Sequence, residues 1–429
     1  MTLLYSPHLR KLLVPICFLL TASVPLQAQP LLTLEEVVQT VLNNNLAIQM
    51  ARNDQKIAAK RGQLVYTDFF PALGLKSGAH RQLWPDAPAP NTVSAGFGAE
   101  WKVGLHSVFA YQQLRTQSQI SQLEAQQTIA NKVAEAIKAY YDLVFAQKKK
   151  QVLARNIAVS KEVLQLAQAK YEVGEATQLD YLSAQVEYNE EQTTLLLQEE
   201  AITAAQLTLC GLLGRNTSGD FTTIEDIPLP EQLSWEALSA ALKATNPRLL
   251  MSQKRCEEAQ ASLRAHKAWL LPQLGFSLDY TREGKYQASA WATEPGAWRG
   301  SIGLTWNLAQ VFQYPSTIQQ ARIRANNGKL GVAATQVQLE ATLKQQFLHY
   351  TQQLQRYALA QQHVQVGQES ATVALEQYRL GSITLLVLEQ ARKTAQETTL
   401  RCLEAIYEAK VAEIALQQLT GGLLDNYKF

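Results

Sequence analysis

Residues 95–106 read Ala95-Gly96-Phe97-Gly98-Ala99-Glu100-Trp101-Lys102-Val103-Gly104-Leu105-His106, and they alternate without a break. Successive side chains of an extended chain point to opposite faces. Ala95, Phe97, Ala99, Trp101, Val103 and Leu105 therefore share one face, and Gly96, Gly98, Glu100, Lys102, Gly104 and His106 share the other. The first face is large and apolar; the second is small, polar or charged. The length suits a tilted strand crossing a bilayer. A half-buried sheet on a soluble core would alternate too. Mid-strand charges at Glu100 and Lys102 instead suit a water-filled lumen, and Trp84, Trp101, Trp298 and Trp306 suit aromatic girdles. The pattern predicts membrane strands with Lys76, Glu100 and Lys102 facing a lumen.

Three more segments behave alike. Pro71, Leu73 and Leu75 oppose Lys76, Gly78 and His80; Leu274, Phe276, Leu278 and Tyr280 oppose Gly275, Ser277 and Asp279; Ile302, Leu304 and Trp306 oppose Ser301, Gly303 and Thr305. Strands are expected at about 66–80, 95–108, 267–282 and 298–312. Four strands cannot close a barrel, and open edges in lipid leave backbone groups unsatisfied at several kcal/mol each. The chain must therefore associate. Three copies would supply twelve strands, although two or four would also close.

Outward from the strands the pattern changes to helix. Val108 to Lys170 contains no proline and no glycine, a run of 63 residues, or roughly 95 Å of helix. Ile129, Val133, Ile137, Tyr140 and Val144 recur at spacings of four and three, marking one apolar face. A matching helix is expected from Pro315, a good first-turn residue, to about Arg379, with possible bends at Gly328 and Gly331. Such helices need long partners beside them, as in a coiled coil. Return helices at Thr177–Leu213 and Thr384–Leu419 supply about 55 Å each. Opening helices from Leu34 to about Leu64 and from Trp235 to about Ala265 cover the remainder.

The chain repeats itself. Leu32, Glu35, Asn45, Pro71, Leu73 and Gly74 recur 201 residues later as Leu233, Glu236, Asn246, Pro272, Leu274 and Gly275. Gly98 and Trp101 recur at 205 as Gly303 and Trp306. Tyr171, Gly174, Thr177, Leu179, Ala184 and Gly214 recur at 207 as Tyr378, Gly381, Thr384, Leu386, Ala391 and Gly421. The reading is a first repeat over 29–214 with a tip turn at 171–178, a linker over 215–232, and a second repeat over 233–429 with a tip turn at 378–384. Residues 1–28 read as a cleaved secretory signal, with Arg10 and Lys11 before a short apolar stretch and Leu26-Gln27-Ala28 at its end.

Of the 429 residues, 18% are charged and 47% hydrophobic, so wholesale disorder is not expected. Beyond the leader, basic and acidic residues balance at 37 each. Duplex binding needs a basic excess, so nucleic acid is not an expected partner. Six scattered histidines show no ligand spacing, and H-E-x-x-H, G-x-S-x-G and P-loop signatures are missing. No catalytic residue, metal or cofactor is expected. Cys210, Cys256 and Cys402 read as buried free thiols on helices rather than a metal or redox site.

Together these features resemble the TolC-like family of outer-membrane efflux proteins. The resemblance rests on Leu32-Thr33-Leu34-Glu35-Glu36 with Asn44 and Asn45, on Phe70-Pro71-Ala72-Leu73, on Tyr171-Glu172-Val173-Gly174 and Tyr378-Arg379-Leu380-Gly381, and on 177–184 and 384–391. It implies a mixed α/β membrane protein: a homotrimer whose twelve-stranded β-barrel, embedded in outer-membrane lipid, continues into an antiparallel α-helical barrel in the periplasm. It implies an exit duct of a tripartite efflux or type I secretion system, working with a periplasmic adaptor (membrane fusion) protein and an inner-membrane pump. The alternative is a soluble periplasmic coiled-coil adaptor or scaffold, which would not need four membrane-length strands.

The resemblance also implies site residues. Tyr171, Val173, Gly174, Tyr378, Leu380 and Gly381 would form the adaptor-docking tip. Some relatives carry aspartates six and nine residues after the second tip glycine, where this chain has Val387 and Gln390. Asp180, Leu386, Val387, Glu389 and Gln390 are therefore the candidates for the pore constriction. Leu386, Val387 and Gln390 are expected to close it, Glu389 to turn toward a neighbouring helix, and Asp180 to make an interhelical hydrogen bond or ion pair.

Overall fold

The computed structural model describes residues 32–80, 91–214, 221, 223, 226–287, 290–306 and 308–424. The expected leader, Trp84 and part of the stretch 215–232 lie outside them. The chain opens with α1 (Leu34–Asn44) and α2 (Leu46–Arg61); the same pairing returns as α5 (Trp235–Thr245) and α6 (Pro247–Ala268). A single opening helix was expected in each place, and asparagine is the reason there are two. Asn45 and Asn246 adopt extended backbone. Asn45 Oδ1 accepts from the N–H groups of Ala47 and Ile48, and Asn246 Oδ1 from that of Leu249, so each caps the following helix. Their amide nitrogens donate to Leu212 O at 2.9 Å and Leu419 O at 2.7 Å. Both asparagines are buried and both are satisfied, as burial of an amide requires.

Five strands form one antiparallel sheet: β1 (Ala72–His80), β2 (Asn91–Val103), β3 (Gln273–Gln287), β4 (Ala290–Thr293) and β5 (Ala297–Thr305). β2 pairs with β1 and β3, while β4 and β5 both pair with the far edge of β3. β4 and β5 are thus collinear pieces of one strand, interrupted at Glu294, Pro295 and Gly296, where proline can donate nothing to the ladder.

Several strand ends differ from expectation: β1 starts at Ala72, not 66, and β3 runs from Gln273 to Gln287, not 267 to 282, because the helical pattern before β3 continues through Ala268. β2 stops at Val103, not 108, and β5 stops at Thr305, not 312. Leu105 and His106 belong to the next helix, so the alternation through them does not continue the sheet. The helical pattern that follows takes them up, and Ser107 N–H bonds back to Gly104 O.

The long helices are α3 (Leu105–Glu172) and α7 (Leu308–Arg379), of 68 and 72 residues. Pro315 lies inside α7 rather than at its start. One missing N–H bond near an end does not terminate a helix supported along its remaining length. The return helices are α4 (Gln178–Leu213) and α8 (Leu385–Leu419). Helix α3 lies against α2, α4, α6 and α8, and α7 lies against α6 and α8. Mid-α3 is buried on more than one face: Val133, Ala136, Ile137, Tyr140, Leu143 and Val144 are all at most 1% exposed. Val37, Val41, Leu209, Leu213, Phe221 and Ile414 surround this stretch. A smaller core joins Leu242, Leu339, Leu343, Tyr350 and Leu416. Because its middle is buried on more than one face, α3 is weakly amphipathic as a whole.

Candidate functional site

The two tips begin as helix endings. Gly174 and Gly381 have φ of 80° and 74°, in the left-handed region that favours glycine. Each closes a Schellman motif. Glu175 N–H reaches Lys170 O at 2.8 Å and Gly174 N–H reaches Tyr171 O at 3.1 Å; Ser382 N–H reaches Gln377 O at 2.9 Å and Gly381 N–H reaches Tyr378 O at 3.1 Å. The return helices then start at Thr177 and Thr384. Thr177 forms a capping box with Asp180, whose Oδ2 accepts from Thr177 N–H at 3.0 Å and from Thr177 Oγ1 at 2.7 Å. Asp180 therefore caps its own helix rather than reaching another. Thr384 makes no side-chain cap bond, because Val387 stands where the box needs an acid.

The docking candidates divide. Tyr171, Val173, Gly174, Leu380 and Gly381 are exposed, with Val173 at 71% and Leu380 at 83%. Tyr378 is 4% exposed and sits in the tip core with Val163, Ala167, Ala184, Leu385 and Leu388. Its ring is not available as a docking contact in this structure. Lys170 Nζ donates to Tyr378 O at 2.6 Å and lies 4.7 Å from the ring centre. Tyr378 stands where α7 and α8 meet α3 of the same chain, whereas Tyr171 stacks on Tyr181 at the tip of α3 and α4.

The constriction candidates also divide by helix face. Leu386, Val387 and Gln390 are exposed, while Leu385 and Leu388 are buried. Glu389 turns inward: its Oε1 is buried and has no hydrogen-bond partner among the described residues. Burial, then the neighbouring Glu187, push its carboxyl above the ordinary glutamate range, and Arg392 opposes this. One turn along, Arg392 bonds Asn156 O at 3.3 Å, Ser160 Oγ and Glu191 Oε1 at 3.3 Å, tying α8 to α3 and α4. Glu191 is also raised, by burial, against the pull of Ser160 and Arg392. Sequence reading missed this network. Its signal was a difference between positions 207 apart: Gln185 matches Arg392, and Thr398 matches Glu191.

These shifts fix a sign. A carboxyl raised in the folded state holds its proton more tightly than in the unfolded chain. Its stabilising contribution is present at acid pH and declines as pH rises through the raised value. Glu389→Gln is therefore expected to raise the thermal midpoint at neutral pH, with an advantage that shrinks as pH falls from the raised value toward the ordinary glutamate range. Thermal unfolding of the detergent-solubilised protein at several pH values checks this; an advantage growing toward acid would refute it.

The sheet has two distinct faces. Rows across the strands run Leu75, Phe97, Tyr280, Trp298 and, on the next alternate row, Leu73, Ala99, Leu278, Gly300. The apolar side leaves Leu73, Leu75, Ile302 and Leu304 at least 70% exposed. Phe97, Tyr280 and Trp298 cluster there with ring centres 5.2–5.4 Å apart. The other face carries Lys76 paired with Asp279 at 2.8 Å and Lys102 paired with Glu100 at 2.9 Å. The three lumen candidates thus share one face. His106, expected beside them, is 4% exposed, stacked on Trp269 and 3.2 Å from Asp68. The outer edges of β1 and of β4–β5 pair with no other strand among the described residues.

The outer membrane efflux protein family model matches residues 37–215 and 238–422, and the chain belongs to that family. Membership places it in the outer membrane. It is 25% identical over 296 residues to the outer membrane efflux protein BepC of Brucella suis biovar 1 (strain 1330), a match covering 67% of this chain and 59% of BepC. The chain thus spans less than two thirds of the length of that relative. The outer-membrane channel OprN superposes with a TM-score of 0.80 at 18% identity, covering 91% of this chain and 90% of that one. VceC of Vibrio cholerae superposes at 0.77 with 15% identity, covering 91% and 96%. The fold is that of these channels: a long helical domain joined to a β domain.

Proposed function

We propose that the chain is the outer-membrane channel-tunnel of a tripartite efflux or type I secretion system. It is a passive exit duct with no catalytic step of its own, fed by an inner-membrane pump through a periplasmic adaptor. The sheet carries this reading: an exposed apolar face, an opposite face with paired charges, and two open edges. In lipid those edges would be unsatisfied. Three chains joined edge to edge give a twelve-stranded barrel with Lys76, Glu100 and Lys102 on its lumen. The duplicated order of helices, strands and tip turns over 29–214 and 233–429 supports one repeated unit in each half. A soluble scaffold would have no use for this sheet. Mass measurement in mild detergent is expected to find three chains; a stable monomer would sink the assembly.

At the periplasmic end, Tyr171, Val173, Gly174, Leu380 and Gly381 meet the adaptor, and Leu386, Val387 and Gln390 narrow the pore. An apolar and amide ring hinders ions by dewetting rather than by charge. Divalent cations need several oxygen ligands, and Leu386, Val387 and Gln390 supply no carboxylate. Single-channel conductance is expected to change little with millimolar divalent cation on the periplasmic side. Strong block, relieved by Glu389→Gln, would mean that an acidic ring exists.

A further inference from the structure

One charge of the sheet stands apart from the rest. By register, Lys76, Glu100, Lys102, Asp279, Glu283, Lys285 and Arg299 all fall on the polar face. Lys76, Lys102 and Lys285 each reach a carboxylate, at 2.8, 2.9 and 2.6 Å. Arg282 pairs with Ala95, and Ala95 with Ser77, which places it on the apolar face. It is the only charged residue at an apolar-face position of the described strands. It is exposed and has no acidic partner among the described residues.

Its depth is defined by its neighbours. The Phe97–Tyr280–Trp298 cluster lies one row nearer the helices, about 7 Å away at 3.4 Å per residue. By register Tyr286 and Trp291 are paired at positions on the same face two rows farther from the helices, so Arg282 lies between two aromatic levels on the outward part of the sheet. The row containing Arg282 is otherwise small, with Ser77 and Ala95, and across it the outer strand is interrupted at Glu294–Gly296. An exposed arginine on the outward part of the lipid-facing side can extend its guanidinium along its apolar stem toward the headgroups of the outward leaflet. Its planar donors suit a phosphate oxygen pair.

We propose that Arg282 binds a phosphate of a phosphorylated outer-leaflet glycolipid, with the acyl chains lying along Leu75, Phe97 and Trp298. The inference rests on the membrane reading above. The cost of a charge on the lipid face of a barrel is small near the interface, and a phosphate there supplies the counter-charge that the protein does not.

The test uses the intact assembly in mild detergent, titrated with a bisphosphorylated acylated glucosamine disaccharide or with phosphatidylethanolamine and read by native mass spectrometry. Wild type should retain the phosphorylated glycolipid, and Arg282→Gln should retain it about fivefold less, the effect of roughly 1 kcal/mol per basic residue near a lipid surface. Arg282→Lys should fall between them, and Arg299→Gln on the polar face should match wild type. Equal retention by wild type and Arg282→Gln would overturn the proposal, as would displacement of the glycolipid by millimolar inorganic phosphate, which would mark a site for the free anion. Failure of the membrane reading looks different: neither lipid would be retained by any variant, and the protein would extract without detergent.

Discussion

Gly381→Val and Gly174→Val are expected to abolish export while the assembled protein stays at normal abundance in the outer membrane. Both glycines hold positive φ, and a residue with a Cβ pays roughly 1–2 kcal/mol there, more if β-branched. A Cβ at Gly174 would meet nothing within 4 Å, and one at Gly381 only the flexible end of Lys170, at 3.8 Å. The penalty is therefore local, and the tip core of Val163, Ala167, Leu385 and Leu388 still forms. What changes is the exposed turn beside Val173 and Leu380, the surface assigned to the adaptor. Gly381→Asn separates the two roles, because asparagine tolerates left-handed backbone. Normal export with asparagine and none with valine would assign the glycine to backbone geometry alone. Unchanged export in both valine variants would remove the docking role. Gly214 and Gly421 provide the contrast: they share the positive φ, but a Cβ there would lie 2.9 Å from Asn44 O and 3.0 Å from Thr245 O. Valine at those positions should lower abundance itself.

Gly96→Ala is expected to remove most of the assembled protein from the outer membrane, whereas Gly74→Ala leaves it near the wild-type level. The two glycines lie on the same face of adjacent strands. A Cβ at Gly96 would sit 2.3 Å from Tyr280 O, a backbone atom of the central β2–β3 ladder, so the ladder must shift. At Gly74 nothing lies within 4 Å. Overpacking of a fixed structure costs typically 1–3 kcal/mol, and in the proposed closed barrel it would recur in every copy. Immunoblots of unheated outer-membrane fractions measure the outcome. Equal abundance of the two variants would show that the β2–β3 register is wrong.

The sequence by itself determined whatever depends on local periodicity. Period two through Ala95–Val103 marked a two-faced strand, and the run from Val108 to Lys170, without proline or glycine, marked the long helix. The tip glycines were legible because their conformation is a property of the residue. The strand ends were not legible: Leu105 and His106 continue the alternation, and the first turn of α3 with the packing of His106 against Trp269 takes them into the helix. Tyr171 and Tyr378 sit in equivalent sequence contexts, yet one is 41% exposed and the other 4%. Which of them is buried depends on whether a helix of the same chain passes beside it, and no local pattern encodes that. The same holds for Arg392 with Glu191, and for Asp180, whose carboxylate could serve a cap or a neighbour until the Thr177 turn claimed it. Arg282 joins both levels. Its face follows from counting residues along β3, but its lack of an acidic partner among the described residues became visible only when the strands were laid side by side.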